Sequence, residues 1–164
     1  MELTNIQAEL LEIIDIQLNG QQIDKKSPYD EHQKYSIIKN DVTSIKKAMG
    51  WSWLRTSIDL ENIDRNKLLN AYISLLSHSI IFSVNEYTRY HDLDSCKERF
   101  ANYIKDYDER NFRINITNDK GDEFRYICVN LLSLDGKSRF ATAIEMGGYL
   151  GFKWNDIYEA YKNK

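Results

Sequence analysis

Apolar side chains recur at steps of three and four residues along most of the chain, which is the spacing of the buried face of an α-helix. The pattern predicts a first helix that ends near Asn19 and a second helix that ends near Gly50. A third helix is predicted over roughly Arg65 to Tyr87, with Asp64 as its N-cap. This third helix is apolar on most of its circumference, which is typical of the centre of a bundle or of a subunit interface.

Three more helices are predicted in the second half of the chain. Ser95 to Glu98, with the sequence SCKE, has the form of a capping box and predicts the start of a fourth helix. One later helix is predicted to end at Gly151, and a short one is predicted from about Asn155 to the end of the sequence.

The spacing changes between the fourth helix and these last two. Phe112, Ile114 and Ile116 alternate with polar residues, and a second run rich in aromatic and β-branched residues follows over Phe124 to Val129. With NDKG between them, the two runs predict a β-hairpin near residues 112–129. We therefore expect one domain over residues 1–164, a mostly α-helical bundle with a β-hairpin insertion.

Composition indicates which partners and which cellular location to expect. The 25 acidic residues outnumber the 22 basic ones, which argues against a nucleic-acid partner. Cys96 and Cys128 lack the paired spacing of zinc or redox motifs, so we expect thiols in a reducing cytoplasm. The longest apolar stretch, Leu75 to Val84, is interrupted by polar residues and is too short to span a bilayer, so no membrane association is expected.

The candidate chemistry of the chain is sparse. Residues 135–138, DGKS, are similar to the end of a phosphate-binding loop, but Leu131 stands where such a loop needs its first glycine, so a plain turn before a helix is favoured. The middle of the second helix has only Asp41 as a carboxylate.

His78 is interpreted as a hydrogen-bonded core or interface histidine, with a general base as the alternative. Stacking of Trp51, Trp53 and Tyr72 on a base is also weighed against ordinary packing.

Four segments together resemble the dimeric dUTPases of phages and bacteria. Residues 143–161, AIEMGGYLGFKWNDIYEAY, are similar to the C-terminal helical region of that family, with its Leu-Gly-Phe turn and Ala-Tyr ending. The other three segments are 6–10 (IQAEL), 50–53 (GWSW) and 69–76 (LNAYISLL). The resemblance implies a helical bundle of the all-α NTP pyrophosphohydrolase type and a homodimer.

The chain departs from this family at the residues that bind metal. The family holds magnesium with an E-x-x-E on its second helix and with a Glu and an Asp on its third. Here Asp41 is the only acidic residue in the corresponding part of helix two, and Asn70, Ala71 and Ser74 stand where Glu, Glu and Asp are expected. Because alanine and serine give no anionic oxygen to a hard cation, we predict no metal, no cofactor and no catalytic residue.

The resulting hypothesis is a catalytically inactive dUTPase-like protein, encoded by a phage or another mobile element, in the cytoplasm of a bacterial host. It is expected to act through protein–protein interaction, as a homodimer and with a host or mobile-element protein as partner. The predicted hairpin is the candidate contact surface, because exposed edge strands invite pairing. Its candidate contact residues are Ile114, Phe124 and Tyr126.

Two alternatives stay open. The first is a magnesium-dependent pyrophosphohydrolase of dUTP or another dNTP whose carboxylates are displaced along the sequence, namely Asp41, Glu86, and Asp92 or Asp94. The second is a nucleotide-sensing module without turnover, in which the base would be held by the aromatic residues Trp51, Trp53 and Tyr72.

Overall fold

A computed structural model describes residues 2–19, 30–50, 63–110, 122–132 and 136–163 of the chain. Within these ranges the chain forms seven α-helices and no strand, so the mostly α-helical class is confirmed. The helices are α1 (Asn5–Asn19), α2 (Glu31–Met49), α3 (Arg65–Tyr87), α4 (Leu93–Ile104), α5 (Asp122–Leu131), α6 (Gly136–Tyr149) and α7 (Trp154–Lys162), and a short 3-10 turn spans Asp108–Arg110.

Helix α3 is the centre of the bundle. It packs most extensively against α6 and α2, and it also contacts α7, α1 and α4. It is long and apolar enough to cross a membrane, but 72% of its most apolar 18-residue segment is buried inside the protein. The apolar circumference predicted for this helix is therefore covered by the other helices of the same chain.

The predicted ends of α2 and α3 are confirmed. Asp30 and Gln33 form a reciprocal capping box at the start of α2, and Gly50 ends that helix with φ +66°. The Asp64 carboxylate accepts the backbone N–H groups of Asn66 and Lys67 at the start of α3. These caps satisfy backbone donors that have no partner within their own helix.

The predicted start of α4 is wrong by three residues, because the N-cap is Asp92 and not Ser95. The helix begins at Leu93, because the Asp92 carboxylate accepts the backbone N–H of Ser95 at 2.6 Å. Ser95 therefore lies in the first turn instead of preceding the helix. The N-cap is a carboxylate, which also interacts favourably with the positive end of the helix dipole.

The predicted β-hairpin is not supported, because the run assigned to its second strand is helix α5. Four buried residues have the spacing of one helical face, because Ile127, Cys128 and Leu131 follow Phe124 by three, four and seven positions. This helical face packs against α6, where the rings of Phe124 and Tyr149 stack. The first predicted strand, at residues 112–117, lies outside the described residues.

Helices α3 and α6 approach each other closely at Gly147. A Cβ at this position would lie 2.7 Å from Cζ of Tyr72 and 3.0 Å from the Tyr107 hydroxyl oxygen. The Tyr72 hydroxyl donates to the carbonyl oxygen of Ala143 at 2.8 Å, one turn before Gly147 on α6. Because glycine has no side chain, position 147 leaves room for the ring of Tyr72.

The first and last helices are joined by polar contacts. The indole N–H of Trp154 donates to Oε2 of Glu9 at 2.9 Å, and the Tyr158 hydroxyl donates to Glu12 at 2.7 Å. On another side of α1, Nε2 of the buried Gln7 donates to the carbonyl oxygen of Ala101 in α4 at 2.9 Å. Helix α1 is thus held by both α4 and α7.

Candidate functional site

Three polar side chains meet at the contact between α2 and α3, and we call them the Asp41 cluster: Asp41, Ser74 and His78. Ser74 and His78 are one turn apart on α3, so both face α2. The Ser74 hydroxyl donates to Oδ1 of Asp41 at 2.8 Å, and Nδ1 of His78 lies 2.6 Å from Oδ2. Asp41 is only 7% exposed, and each of its carboxylate oxygens has a partner within the chain.

The Asp41 cluster holds the imidazole ring of His78 in one orientation. Its Nδ1 edge faces Asp41, while 34% of the side chain is exposed, and the ring stacks on Phe82 with centroids 6.1 Å apart. A carboxylate that orients a histidine is one half of a Ser-His-Asp relay. The other half is not formed by Ser74, because its hydroxyl donates to Asp41 and not to the imidazole.

A second polar cluster lies further along α3, and we call it the Glu86 cluster: Lys34, Glu86 and Arg139. Nζ of Lys34 lies 2.8 Å from Oε1 of Glu86, and Nη1 of Arg139 lies 3.4 Å from the same oxygen. Both cationic side chains are buried, Lys34 completely. The cluster ties α2, α3 and α6 together through one shared carboxylate.

The carboxylates of the displaced-metal alternative do not converge. Asp41 contacts Ser74 and His78, Glu86 contacts Lys34 and Arg139, and Asp92 caps α4. Asp94 is exposed in the first turn of α4. Over the part of the chain that the structure describes, no group of three or more histidine, cysteine or acidic side chains could hold a metal ion.

Of the four positions where the family resemblance implies metal ligands, the structure brings two together. Asp41 and Ser74 are hydrogen bonded. Asn70 is exposed one turn before Ser74, and Ala71 packs against the core. His78 was not predicted to belong to this site, although its spacing of four residues from Ser74 places both on the same helical face.

The aromatic residues proposed to stack on a base are not assembled by the described part of the chain. Tyr72 is fully buried, its hydroxyl donates to Ala143, and its ring lies 5.7 Å from that of Phe152. Burial raises the pKa of the Tyr72 hydroxyl well above its ordinary value. The ring belongs to the core, and this position does not fit the stacking prediction. Trp51 and Trp53 lie outside the described residues.

The candidate contact residues fall on opposite faces of α5. Phe124 is completely buried, so it is a core residue and cannot belong to a contact surface. Tyr126 is 66% exposed, and Val129, one turn later on the same helix, is 68% exposed. We call Tyr126 and Val129 the α5 outer face. Ile114 lies outside the described residues.

The DGKS sequence does not have the surroundings of a phosphate-binding loop, and Gly136 to Ser138 belong to the first turn of α6. Such a loop follows a strand, whereas the preceding element here is helix α5, and α6 begins at Gly136. No protein-family model, no curated protein and no solved structure matches this chain.

Proposed function

We propose that this protein is a non-catalytic, dUTPase-like helical module that acts by binding other proteins. The observation that carries the proposal is the Asp41 cluster, in which both carboxylate oxygens of Asp41 are hydrogen bonded to Ser74 and His78. Where the family resemblance implies a carboxylate cage, a single carboxylate is therefore bound to a hydroxyl and an imidazole.

The chemistry of magnesium supports this proposal. Mg²⁺ takes oxygen ligands, with one or two carboxylates plus substrate phosphates in nucleotide sites, and it dehydrates reluctantly. At the Asp41 cluster a cation would have to displace the donors on Asp41, which is 7% exposed. The hydroxyl of Ser74 would not replace the lost carboxylate, and imidazole is a poor ligand for a hard cation.

The α5 outer face supports a binding role. Tyr126 and Val129 present an aromatic ring and an aliphatic side chain to solvent, one turn apart. Exposed tyrosine is enriched in the interfaces of protein complexes, because it buries a large area at a small cost in side-chain entropy. We propose this face, in place of the hairpin, as the contact surface for a host or mobile-element protein.

The proposed homodimer would not be built on α3. That helix is already covered by α2, α6 and their neighbours within one chain. The homodimer, the bacterial cytoplasm and the phage or mobile-element origin come from the family resemblance alone, and sedimentation of the purified protein tests the first of these directly.

The deciding experiment is a pyrophosphate-release assay on the folded protein. The substrates are dUTP and the four common dNTPs, each with Mg²⁺, with Mn²⁺ and without metal, at high protein concentration. We expect no metal-dependent release. A variant that carries Asn70→Glu and Ser74→Asp adds one carboxylate beside Asp41 and a second one turn earlier on α3, and it is expected to gain Mn²⁺ affinity. Metal-dependent turnover by the unmodified chain would overturn the proposal.

The contact surface is tested separately. The tagged protein and a Tyr126→Ser/Val129→Ser variant are compared for capture of proteins from the host cell, with Glu145→Gln, an exposed α6 residue, as the control. We expect the double variant to lose a protein that the control retains. Equal capture by all three would remove the α5 outer face from the proposal.

A second candidate, a hydrolase, is favoured by one observation. The Asp41 carboxylate orients His78, which is 34% exposed and could accept a proton from water. Any turnover in the assay above should then fall at least a hundredfold in His78→Gln and should not require a metal.

A further inference from the structure

A groove runs between α3 and α7 on the outside of the bundle. The two helices lie side by side and run in the same direction. The guanidinium of Arg65, at the start of α3, donates to the carbonyl oxygen of Leu150 just before α7, and the hydroxyls of Ser77 and Tyr161 lie 2.7 Å apart further along. The rims of the two helices enclose a groove of about 760 Å³. This volume is within the range of sites that bind small molecules or short peptides.

Both walls of the groove carry carboxamides. Asn66 and Asn70 line it from α3, and Asn155 and Asn163 line it from α7. Asn66, Asn70 and Asn155 are exposed, and no side-chain hydrogen bond is formed by these four residues within the described part of the chain. Each carboxamide offers one acceptor and two donors. This is the pattern that matches the N–H and C=O groups of a peptide main chain.

The groove is anionic. Asp156 and Glu159 line it from α7, and no lysine, arginine or histidine is among its described lining residues. Asp156 also accepts the backbone N–H of Lys153 at 3.0 Å, so part of its hydrogen-bonding capacity is used at the start of α7. The ammonium of Lys162, one turn after Glu159, lies over the ring of Tyr158 at the edge of the groove and is fully exposed, so its attraction to Glu159 is screened by water and leaves the carboxylate open to a second cation. A ligand that complements this charge carries a cation opposite Glu159.

The length and floor of the groove favour an extended chain over a compact ligand. Asn66 and Ile73 are seven residues apart on α3, which corresponds to about 10 Å of helix, and Asn155 and Asn163 span about 12 Å of α7. An extended peptide rises about 3.3 Å per residue, so three or four residues fit. The floor between the polar walls is apolar and consists of Leu69, Ile73 and Ala160.

We propose that this groove binds an extended segment of three or four residues from a partner protein, with an arginine or lysine at its centre. The cation pairs with Glu159, the main chain hydrogen bonds to the carboxamides of both walls, and an apolar side chain rests on Leu69 and Ile73. The site deepens the proposed binding role and rests on it for its biological meaning, because it names the chemistry of the partner. It is separate from the α5 outer face.

The test uses acetylated and amidated hexapeptides with arginine at the third position and varied neighbours, screened on the full chain and then measured by fluorescence polarisation. We expect binding that weakens at least tenfold when citrulline, a neutral isostere, replaces the arginine. The same loss is expected in Glu159→Gln and in Asn70→Ala. The matched control, Glu145→Gln on the exposed face of α6, should bind like the unmodified chain.

Three results would overturn the site. They are no hexapeptide binding above that of the citrulline series, binding that is unchanged in both Glu159→Gln and Asn70→Ala, and binding of spermidine as tight as that of the best peptide. The last result would identify a site for small amines instead of a main chain. The pyrophosphate assay reports on the proposed function independently, so a failed groove and a failed non-catalytic role are distinguishable.

Discussion

Nδ1 of His78 lies 2.6 Å from Oδ2 of Asp41, and this contact joins the central helix α3 to α2. The other oxygen of the same carboxylate accepts the hydroxyl of Ser74. Because Asp41 is almost entirely buried, its charge depends on these donors for the solvation that water would otherwise provide. The Asp41 cluster therefore contributes to the stability of the bundle.

Ser74→Ala should lower the free energy of unfolding by about 1–3 kcal/mol, because it leaves one oxygen of a buried carboxylate without its donor. In an Asp41→Leu background the same substitution should cost much less, since no charge remains to be solvated. Urea denaturation of the four proteins measures both values. Ser44→Ala is the control, because that exposed serine of α2 donates to the carbonyl oxygen of Asn40 within its own helix. Equal losses in both backgrounds would contradict the assigned role of Ser74.

Glu86→Gln should destabilise the protein more than Lys34→Met. Removal of the shared carboxylate takes away a charged hydrogen-bond partner of both buried cations, while Lys34 keeps its longer contact with Oε1 of Glu31 at 3.5 Å, so we expect a loss of about 1.5–3 kcal/mol. Removal of Lys34 leaves Glu86 paired with Arg139 and puts a flexible apolar side chain where the lysine stem was, so we expect less than half of that loss. The midpoints of urea unfolding give the order, and the opposite order would contradict the shared-carboxylate interpretation.

Gly147→Ala should destabilise the protein by about 1–3 kcal/mol, as overpacking of a core does. The sign of the stability change is informative, because helix propensity alone would make alanine more stable than glycine by about 1 kcal/mol. The added methyl group would meet the ring of Tyr72 at 2.7 Å. Thermal unfolding measures the change. Adding Tyr72→Phe removes the hydroxyl oxygen nearest to the new methyl group, so the double variant should lose less than the sum of the two single losses.

Stability should fall as the pH rises above about 9. Burial raises the pKa of the Cys128 thiol to about 11 and that of Cys96 to about 12, so both stay neutral in the folded chain while they ionise in the unfolded one. The folded state then binds more protons than the unfolded state, and the free energy of unfolding decreases with pH from about 9 through these folded values. Burial also raises the pKa of Tyr72, Tyr107 and Tyr161, which extends the decrease above pH 10.

Urea denaturation between pH 7 and pH 11 measures this slope. The Cys96→Ala/Cys128→Ala variant should show a shallower decrease between pH 9 and pH 10 and should keep the decrease above pH 10, where the tyrosines contribute. A stability that is constant from pH 8 to pH 10.5 in the unmodified chain would contradict the burial of the thiols.

Phe124→Ala should cost about 3–5 kcal/mol, because the ring is completely buried against α6. Tyr126→Ala, two residues along, should change the stability by no more than about 0.5 kcal/mol, because that side chain is largely exposed. Phe124 and Tyr126 would share one face of a strand, whereas they lie on different faces of α5. Similar losses for both variants would therefore favour the strand and contradict the helix.

The elements that local chemistry determines were predictable. The bounds of α3 follow from the Asp64 cap and the apolar spacing, and the end of α2 follows from Gly50 in a left-handed conformation that glycine adopts at little cost. Helix α5 was mistaken for a strand, because aromatic and β-branched residues such as Phe124 and Ile127 suit both structures and the packing on α6 decides between them.

The candidate site was predictable only in part. Asp41 and Ser74 were singled out, but only as degenerate positions of the resembled family. Their contact depends on the register of α2 against α3. This register brings Asp41 against Ser74, which is 33 positions later in the sequence, and against His78, which is 37 positions later. Tyr72 was a candidate for stacking on a nucleotide base, weighed against ordinary packing, because its ring type suits both. Its burial depends on the lack of a side chain at Gly147, which is distant in sequence but adjacent in the fold. Long-range contacts of this kind leave no local mark in the sequence.

The hydrogen bond between Trp154 and Glu9 spans 145 residues, and that between Tyr158 and Glu12 spans 146. During synthesis α1 therefore leaves the ribosome well before α7. Until α7 emerges, Glu9 and Glu12 of α1 lack the hydrogen-bond donors that α7 provides. The nascent chain thus passes through a period in which α1 lacks its α7 partner, although α3 and α4 are already available to cover it.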